Sequence, residues 1–196
     1  TGYVCTHLCQ TRCVRNDYEE SVGIRALKRY AEEHGKIRPL VAKDKVGKKV
    51  AVIGSGPSGF SAAFYLALSG VDVTMLEAKD VLGGMMRLVP VFRLPWEVIQ
   101  RDVNRILDLG VKLEYNRPVT EGPEKLLEQG FDAVYVGAGF QKDAPLRIPG
   151  IEGSGVYAAL DLLDKTRRGE RPYLGKKALV IGGGDTAMDA VRTSQR

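Results

Sequence analysis

The chain has 196 residues, 44% of them hydrophobic and 27% charged, so it allows one or two soluble domains with an ordinary buried core. Glycine takes 23 positions, which favours tight turns and close backbone approach to a ligand over an all-helical bundle. No run of about 18 apolar residues occurs, which excludes a transmembrane helix. No signal peptide is visible either, and a cytoplasmic location is expected.

The net charge of +5 is uneven: residues 1–49 hold 11 Lys+Arg against 6 Asp+Glu, and residues 50–196 hold 18 of each. A solvated basic face explains the excess, as does a positive field that offsets an anionic cofactor. Nucleic-acid binding has no recognition motif behind it and is not expected.

Residues 1–20 read as irregular and hold all three cysteines. Ser21 is a candidate cap for a helix to about His34, with Val22, Ala26, Leu27, Tyr30 and Ala31 on one face. Residues 35–48 form a basic linker containing Pro39. From Lys49 the pattern becomes alternating strands and helices, which predicts an α/β chain with a parallel sheet. Strands are expected at 49–54, 71–77, 111–115, 131–137 and 178–182. Helices are expected at 58–69, 95–109, 123–129, 157–167 and from 185 onward. In the helix opened by Pro95, the residues Trp96, Ile99, Val103, Ile106 and Leu107 should face inward. The chain starts at Thr1 and stops at Arg196 inside an apparent helix, so both ends read as cuts from a longer protein.

One internal echo is visible: "KKVAVIGSGPSG" at 48–59 and "KKALVIGGGDTA" at 176–187. The first contains Gly54-Ser55-Gly56-Pro57-Ser58-Gly59, a GxGxxG turn between an apolar strand and a helix. That is the context in which the motif has a mechanism. Gly54 permits the turn, Gly56 lets backbone approach a pyrophosphate, and Gly59 lets the helix pack close to the strand. The helix N-terminus then offers unpaired N–H groups and its dipole to the phosphates. Glu77 follows 18 residues after Gly59, at the end of the second strand, where an acidic residue can accept from both ribose hydroxyls. It would repel a 2′-phosphate, so this site should not hold NADP. The second glycine pair, in residues 78–84, favours FAD over NAD, because the chain can pass close to a ribityl and pyrophosphate there.

The second loop, Gly182-Gly183-Gly184-Asp185-Thr186-Ala187, fits GxGxxA after an apolar run and suggests a second nucleotide domain. Cys5, Cys9 and Cys13 form C-x3-C-x3-C. An odd count argues against a closed disulfide framework, and the spacing does not match paired zinc ligands. From spacing alone, an iron–sulfur cluster, a zinc site and no ligand role all stay open.

In order along the chain, "TGYVCTHLCQTRC", "VGIRALKRYA", "KKVAVIGSGPSG", "VLGGMMRLVPVFRLP", "FDAVYVGAG" and "VIGGGDTAMDA" resemble the small (beta) subunit family of glutamate synthase. Relatives of that family include the N-terminal half of dihydropyrimidine dehydrogenase and selenate-reductase-like proteins. They also include the large subunit of electron-bifurcating NADH-dependent ferredoxin:NADP oxidoreductases. The resemblance covers essentially the whole chain.

It implies a Rossmann-type FAD-binding domain, preceded by part of a helical iron–sulfur domain and followed by the start of an NAD(P)-binding Rossmann domain. The corresponding spans are 1–36 for the iron–sulfur part, 37–48 for the linker, 49–150 for the FAD domain and 151–196 for the connection and second nucleotide domain. Cys5, Cys9 and Cys13 match three ligands of a [4Fe–4S] cluster, the fourth coming from elsewhere. Where some relatives place a Gln or Glu ligand for a further cluster, this chain has Lys28, which has no lone pair to give. The implied FAD residues are Gly54, Ser55, Gly56, Pro57, Ser58, Gly59, Glu77, Gly84, Arg93 and Val119. The implied NAD(P)H residues are Gly183, Gly184, Asp185 and Thr186.

The resemblance further implies electron flow from NAD(P)H through FAD to [4Fe–4S] clusters and on to another redox subunit or domain. No catalytic acid, base or nucleophile is visible. No Cys-x-x-Cys pair follows Glu77, so a disulfide-reductase reaction is not expected. The rival readings are a non-catalytic nucleotide-binding interaction module and a plain NAD-dependent dehydrogenase. By itself the 196-residue chain is expected to fold over its FAD half, to hold FAD weakly or not at all, to hold no intact cluster and to lack NAD(P)H oxidation. Its strand at 178–182 should either add to the sheet or stay mobile.

Overall fold

The computed structural model describes residues 2–36, 39–140, 142–144 and 146–196. The chain divides into two compact units, Thr1–Pro39 and Leu40–Arg196. Residues 37 and 38 of the expected linker lie outside the described residues.

The larger unit is built on a parallel sheet. β1 (Lys49–Ile53) has three consecutive buried residues, Val50, Ala51 and Val52, as a strand covered on both faces requires. β2 (Asp72–Leu76) pairs with one edge of β1 in the register Val50↔Val73. β4 (Ala133–Val136) pairs with the other edge, Val50↔Ala133. β3 (Lys112–Glu114) lies outside β2, which gives the order β3-β2-β1-β4 among the described residues. Strand order therefore reverses between β1 and its two neighbours. In an open α/β sheet the crevice at the carboxyl ends of such strands is where ligands bind.

Helices cover both faces. α3 (Pro57–Leu68) begins at Gly56, has Pro57 in its first turn, and buries Gly59, Phe60, Ala63 and Ala67 along one stripe. α5 (Trp96–Leu107) packs beside α3, with Ile99 and Val103 buried and Trp96, Ile106 and Leu107 half-buried. On the opposite face, Leu126 of α6 (Glu124–Glu128) joins Ala51 and Leu76, with Val119, Phe131 and Val134 against them. Residues 40–46 are tied to the α3–β2 corner: Lys43 N–H donates to Leu68 O at 3.0 Å and Val46 N–H to Gly70 O at 3.1 Å.

The expected strand at 178–182 does not form. Leu179 and Ile181 are 88% and 60% exposed, and none of these residues pairs with the sheet. An apolar run becomes a strand only when a neighbour accepts its ladder, and here none does. The helix after it does form. α8 (Asp185–Ser194) packs on α7 (Ala159–Arg167), where Leu162 and Leu163 meet a face that buries Ala187 and Ala190. A further short helix, α4 (Met85–Leu88), follows the Gly83-Gly84 pair and also packs on α7. No helix among the described residues is long and apolar enough to cross a membrane.

The smaller unit holds α1 (Leu8–Thr11), a 3₁₀ turn at Val14–Asp17, and α2 (Ile24–His34). The helix start corrects the expected cap: Gly23 takes the N-cap position, and no side chain bonds there. Ser21 sits too early, because the first helical residue is Ile24. Polar ties hold the N-terminal segment to α2. Arg25 donates to Gly2 O at 2.9 Å and Tyr3 O at 2.7 Å, Tyr3 O–H donates to Glu33 Oε1 at 2.5 Å, and Arg29 lies over the Tyr3 ring. The amphipathic face is not covered within the unit: Leu27 and Tyr30 are exposed, and α2 buries no residue.

Candidate functional site

At the carboxyl end of β1 the chain turns sharply into α3, and the glycines make the turn possible. Gly54 has φ +93°, and a Cβ there would lie 2.6 Å from Gly137 O. A Cβ on Gly59 would lie 1.9 Å from Gly54 O, so any side chain would push α3 off the strand. Main-chain bonds lock the three converging strand ends: Gly54 N–H to Leu76 O and Gly137 N–H to Ile53 O, both 2.8 Å.

Ser55 is fully buried and is the pivot of the turn. Its N–H donates to Glu77 Oε2 at 2.9 Å, and its hydroxyl bonds the same oxygen. Its carbonyl accepts from Gly83 N–H at 2.9 Å. Glu77 Oε1 accepts from Lys79 N–H at 2.9 Å. An ionised carboxylate offers about four acceptor sites, so with Oε2 taken twice by Ser55, Oε1 keeps a lone pair for a ligand. Glu77 is 8% exposed, and together with burial its charge raises the nearby Tyr115 hydroxyl above the ordinary phenol range.

The result is a cleft of about 420 Å³ lined by residues 53–58, 76–79 and 136–139, with Val81, Gly84, Met85, Arg87, Leu88, Arg117 and Val119. That volume lies in the range of small-molecule clefts. The α3 N-terminus opens onto it through Gly56, which caps the helix without a side-chain bond. A Cβ on Gly56 would meet nothing nearer than 3.9 Å, so the absent side chain leaves a cradle for a ligand at the helix end. Gly84 closes the far side: its own Cβ would come within 2.9 Å of Gly56 Cα. Ser58 Oγ and Tyr135 O–H bond at 2.7 Å beside the helix start.

A second depression, of about 460 Å³, is lined by Gly184, Thr186, Ala187, Val180, Ile181 and Leu160, with Phe140, Lys142, Asp143, Ala144, Ala159 and Met85. Gly184 is the N-cap of α8, again without a side-chain bond. Cβ atoms on Gly183 and Gly184 would meet nothing within 4 Å. The second loop is therefore open where the first is tightly enclosed. Met85 lines both cavities.

The family model for pyridine nucleotide-disulphide oxidoreductases matches residues 48–193, which carry both loops. The chain belongs to this family. Over its whole length it is 36% identical to the NADPH-Fe(3+) oxidoreductase subunit beta of Geobacter sulfurreducens, of which it covers 31%. It is 37% identical to the putative oxidoreductase YgfK of Escherichia coli, covering 20% of that protein. It is also 32% identical to the glutamate synthase [NADPH] small chain of Bacillus subtilis, covering 43% of it. The chain thus spans less than half the length of each of these curated relatives. Among solved structures it resembles Mycobacterium tuberculosis FprA in complex with NADPH, with a TM-score of 0.64 and 29% identity over 74% of this chain and 36% of FprA. Within this pyridine nucleotide-disulphide oxidoreductase family the present chain has no cysteine in the matched segment, so it brings no redox disulfide of its own there.

Of the residues singled out for a flavin, Gly54, Ser55, Gly56, Pro57, Ser58, Glu77, Gly84 and Val119 line the first cleft. Gly59 stands behind it as the packing glycine. Arg93 lies outside the lining and donates from Nη1 to Asp189 Oδ1 at 2.8 Å. Of the second set, Gly184 and Thr186 line the second depression, while Gly183 and Asp185 flank them. Sequence reasoning missed three cations on the first cleft wall: Lys79, Arg87 and Arg117. Arg87 is 8% exposed, pairs with Asp164, and accepts from Arg167 Nε through its carbonyl at 2.8 Å. Its place three residues after Gly84 was the one available signal, and the same spacing serves a surface arginine equally well.

The cysteines lie in the smaller unit, outside the matched segment. Cys9 is exposed, and Cys5 and Cys13 are half-buried. Cys5 Sγ accepts from His7 N–H at 3.4 Å. Backbone hydrogen bonds from Val22 and then Arg15 hold the Cys13 thiol below its ordinary range, which favours the thiolate that binds metals. This donor chemistry suits an iron–sulfur cluster. The arrangement does not yet make one: among the described residues no group of three or more His, Cys, Asp and Glu is placed to hold a metal ion.

Proposed function

We propose that the first cleft binds FAD and that the chain is the flavin-carrying segment of an NAD(P)H oxidoreductase resembling the glutamate synthase small subunit. The observation that carries this reading is the convergence on one cleft of the Gly54–Gly59 turn, the open α3 N-terminus and the buried Glu77 carboxylate. The helix end receives the pyrophosphate, where its unpaired N–H groups and dipole favour negative charge. Glu77 accepts from the ribose through the free site on Oε1, while Ser55 and the Lys79 N–H keep its carboxylate aimed. Arg87, Arg117 and Lys79 add positive charge to the lining. The Gly83-Gly84 pair lets main chain run close beside the ligand.

Bound FAD supplies the redox chemistry, accepting two electrons and a proton as hydride and releasing electrons singly. The second loop, through Gly183, Gly184, Asp185 and Thr186, receives the pyridine nucleotide, again at a helix N-terminus. NADPH in the names of the relatives and in the FprA complex supports this assignment. Cys5, Cys9 and Cys13 supply three thiolates to a [4Fe–4S] cluster in the parent protein, with the fourth ligand coming from elsewhere. The onward acceptor is a further redox subunit or domain.

The test uses the full-length protein under anaerobic conditions. It should show flavin bands that bleach on addition of NADPH or NADH, and it should contain about four iron atoms per cubane cluster. Glu77→Arg should purify without flavin, because a cation replaces the acceptor for the ribose hydroxyls. Stoichiometric flavin in that variant would remove the assignment of the first cleft. Zinc in place of iron would remove that of the cysteines.

A further inference from the structure

The segment that starts at Met85, the residue common to both cavity linings, is tied at two points by ion pairs that each contain a buried member. Residues 85–94 leave the Gly83-Gly84 turn with Met85 on both cavity walls. Arg87, near the start of this segment, pairs with Asp164 of α7. Arg93, near its end, reaches Asp189 of α8 at 2.8 Å. Asp189 is 6% exposed, one turn after Asp185 in the helix that the second loop opens. Burial of a carboxylate is costly unless a partner compensates, so a contact of this kind holds its helix in one place. Among the described residues it is the one salt bridge made by α8. Next to it, the guanidinium groups of Arg192 and Arg196 lie over the Phe92 ring at 4.7 and 4.0 Å.

Since 178–182 adds no strand to the sheet, the ladder that positions α3 has no counterpart for α8. What positions α8 is its packing on α7 and its contacts to Phe92 and Arg93. We infer that Arg93 and Asp189 form a positioning contact that sets the second nucleotide loop against the wall it shares with the first cleft. Neither Asp189 nor Arg93 lines a cavity; the pair acts on the shared wall through the 85–94 segment that carries Met85, and on the loop through α8. The inference rests on the reading of the two cavities as flavin and pyridine-nucleotide sites. With both cofactors bound, hydride would pass directly from one to the other, so the pair would matter by alignment, with no proton or electron passing through it.

The test uses the full-length protein with Asp189→Ala, which removes the acceptor, and Asp189→Asn, which keeps an oxygen for Arg93. Two readouts are taken: hydrogen exchange of the amides in 185–194, and the stopped-flow rate of flavin bleaching by NADPH. Asp189→Ala should raise exchange in 185–194 and slow bleaching about tenfold or more, the scale set by misplacing a reactant. Flavin content and complete bleaching by dithionite should be unchanged. Asp189→Asn should recover part of both effects, and it carries the comparison alone if Asp189→Ala does not fold. Wild-type exchange in 185–194 overturns the inference whatever the flavin does. Raised exchange with a wild-type bleaching rate also overturns it, since the contact would then hold the helix without aligning the nucleotide. A wild-type protein without flavin fails the reading of the first cleft instead, and the exchange measurement still decides the contact.

Discussion

Two stretches of this chain begin with nearly the same words, KKVAVIG and KKALVIG, and fold differently. The first becomes β1, with Val50, Ala51 and Val52 buried between two parallel neighbours. The second forms no strand, and its Leu179 is 88% exposed. The helices that follow both form, each from a glycine N-cap. A helix satisfies its own main chain within a dozen residues, so local sequence suffices once one face is buried. A strand satisfies its main chain only through neighbours, so the same apolar run is a strand in one place and exposed coil in another. The contrast extends to function. The first loop is enclosed by Gly137, Gly84 and Glu77, whereas the second has open space around Gly183 and Gly184.

The largest expected effect comes from breaking the enclosure of the first loop. Gly59→Val puts a side chain where even a Cβ would lie 1.9 Å from Gly54 O. It should cost about 3 kcal/mol or more in urea unfolding. The matching change in the open loop, Gly183→Ala, should stay within about 0.5 kcal/mol. Equal effects at the two sites would show that the loops are equally enclosed and would erase the comparison.

A middle effect is expected from Glu77→Ala. The variant strands the buried Ser55 N–H and hydroxyl without their acceptor, at a cost of about 2 kcal/mol in the same measurement. Among the described residues, no buried carboxylate accepts from the main chain of the second loop. An unchanged midpoint for Glu77→Ala would mean that the first turn is held by its glycines alone.

The smallest effect is electrostatic and concerns the start of β1. Lys48 bonds Asp132 at 2.7 Å, Asp132 also accepts from Lys49 N–H, and Lys45 bonds Asp72 at 2.6 Å. These partners hold both carboxyls below the ordinary carboxylate range: Lys48 foremost for Asp132, Lys45 foremost for Asp72. With a depressed native pKa the unfolded chain binds more protons, so stability rises with pH in that window. The contribution is therefore present above about pH 4 and is lost as pH falls through the depressed native values. The urea midpoint of Asp132→Asn should show a shallower acid limb than wild type below that pH. A limb of equal slope would remove Asp132 from the accounting.

Much of the first region was readable before any coordinates. Apolar runs, glycine stops and Pro57 and Pro95 located β1, α3, α5 and β4 within a few residues. GxGxxG with Glu77 singled out residues that do share one cleft. The family resemblance carried over Gly84 and Val119, which line the same wall, and Arg93, which does not. Ser21 was misread as a cap because capping depends on where the first turn closes, and it closes after Gly23.

Local sequence decided every feature that a few consecutive residues can satisfy alone. These are the turn at Gly54, the start of α3 at Gly56 and Pro57, the end of β2 at Glu77, and α8 after Gly184. Tertiary structure decided what depends on residues far apart in the chain. Parallel pairing made 49–53 a strand and left 178–182 without one. The Arg93–Asp189 bond joins residues 96 positions apart. Asp164, 77 positions away, pairs with Arg87 where it lines the cavity. A charge in low dielectric takes its role from its nearest partner in space, and that partner is not written next to it in the chain.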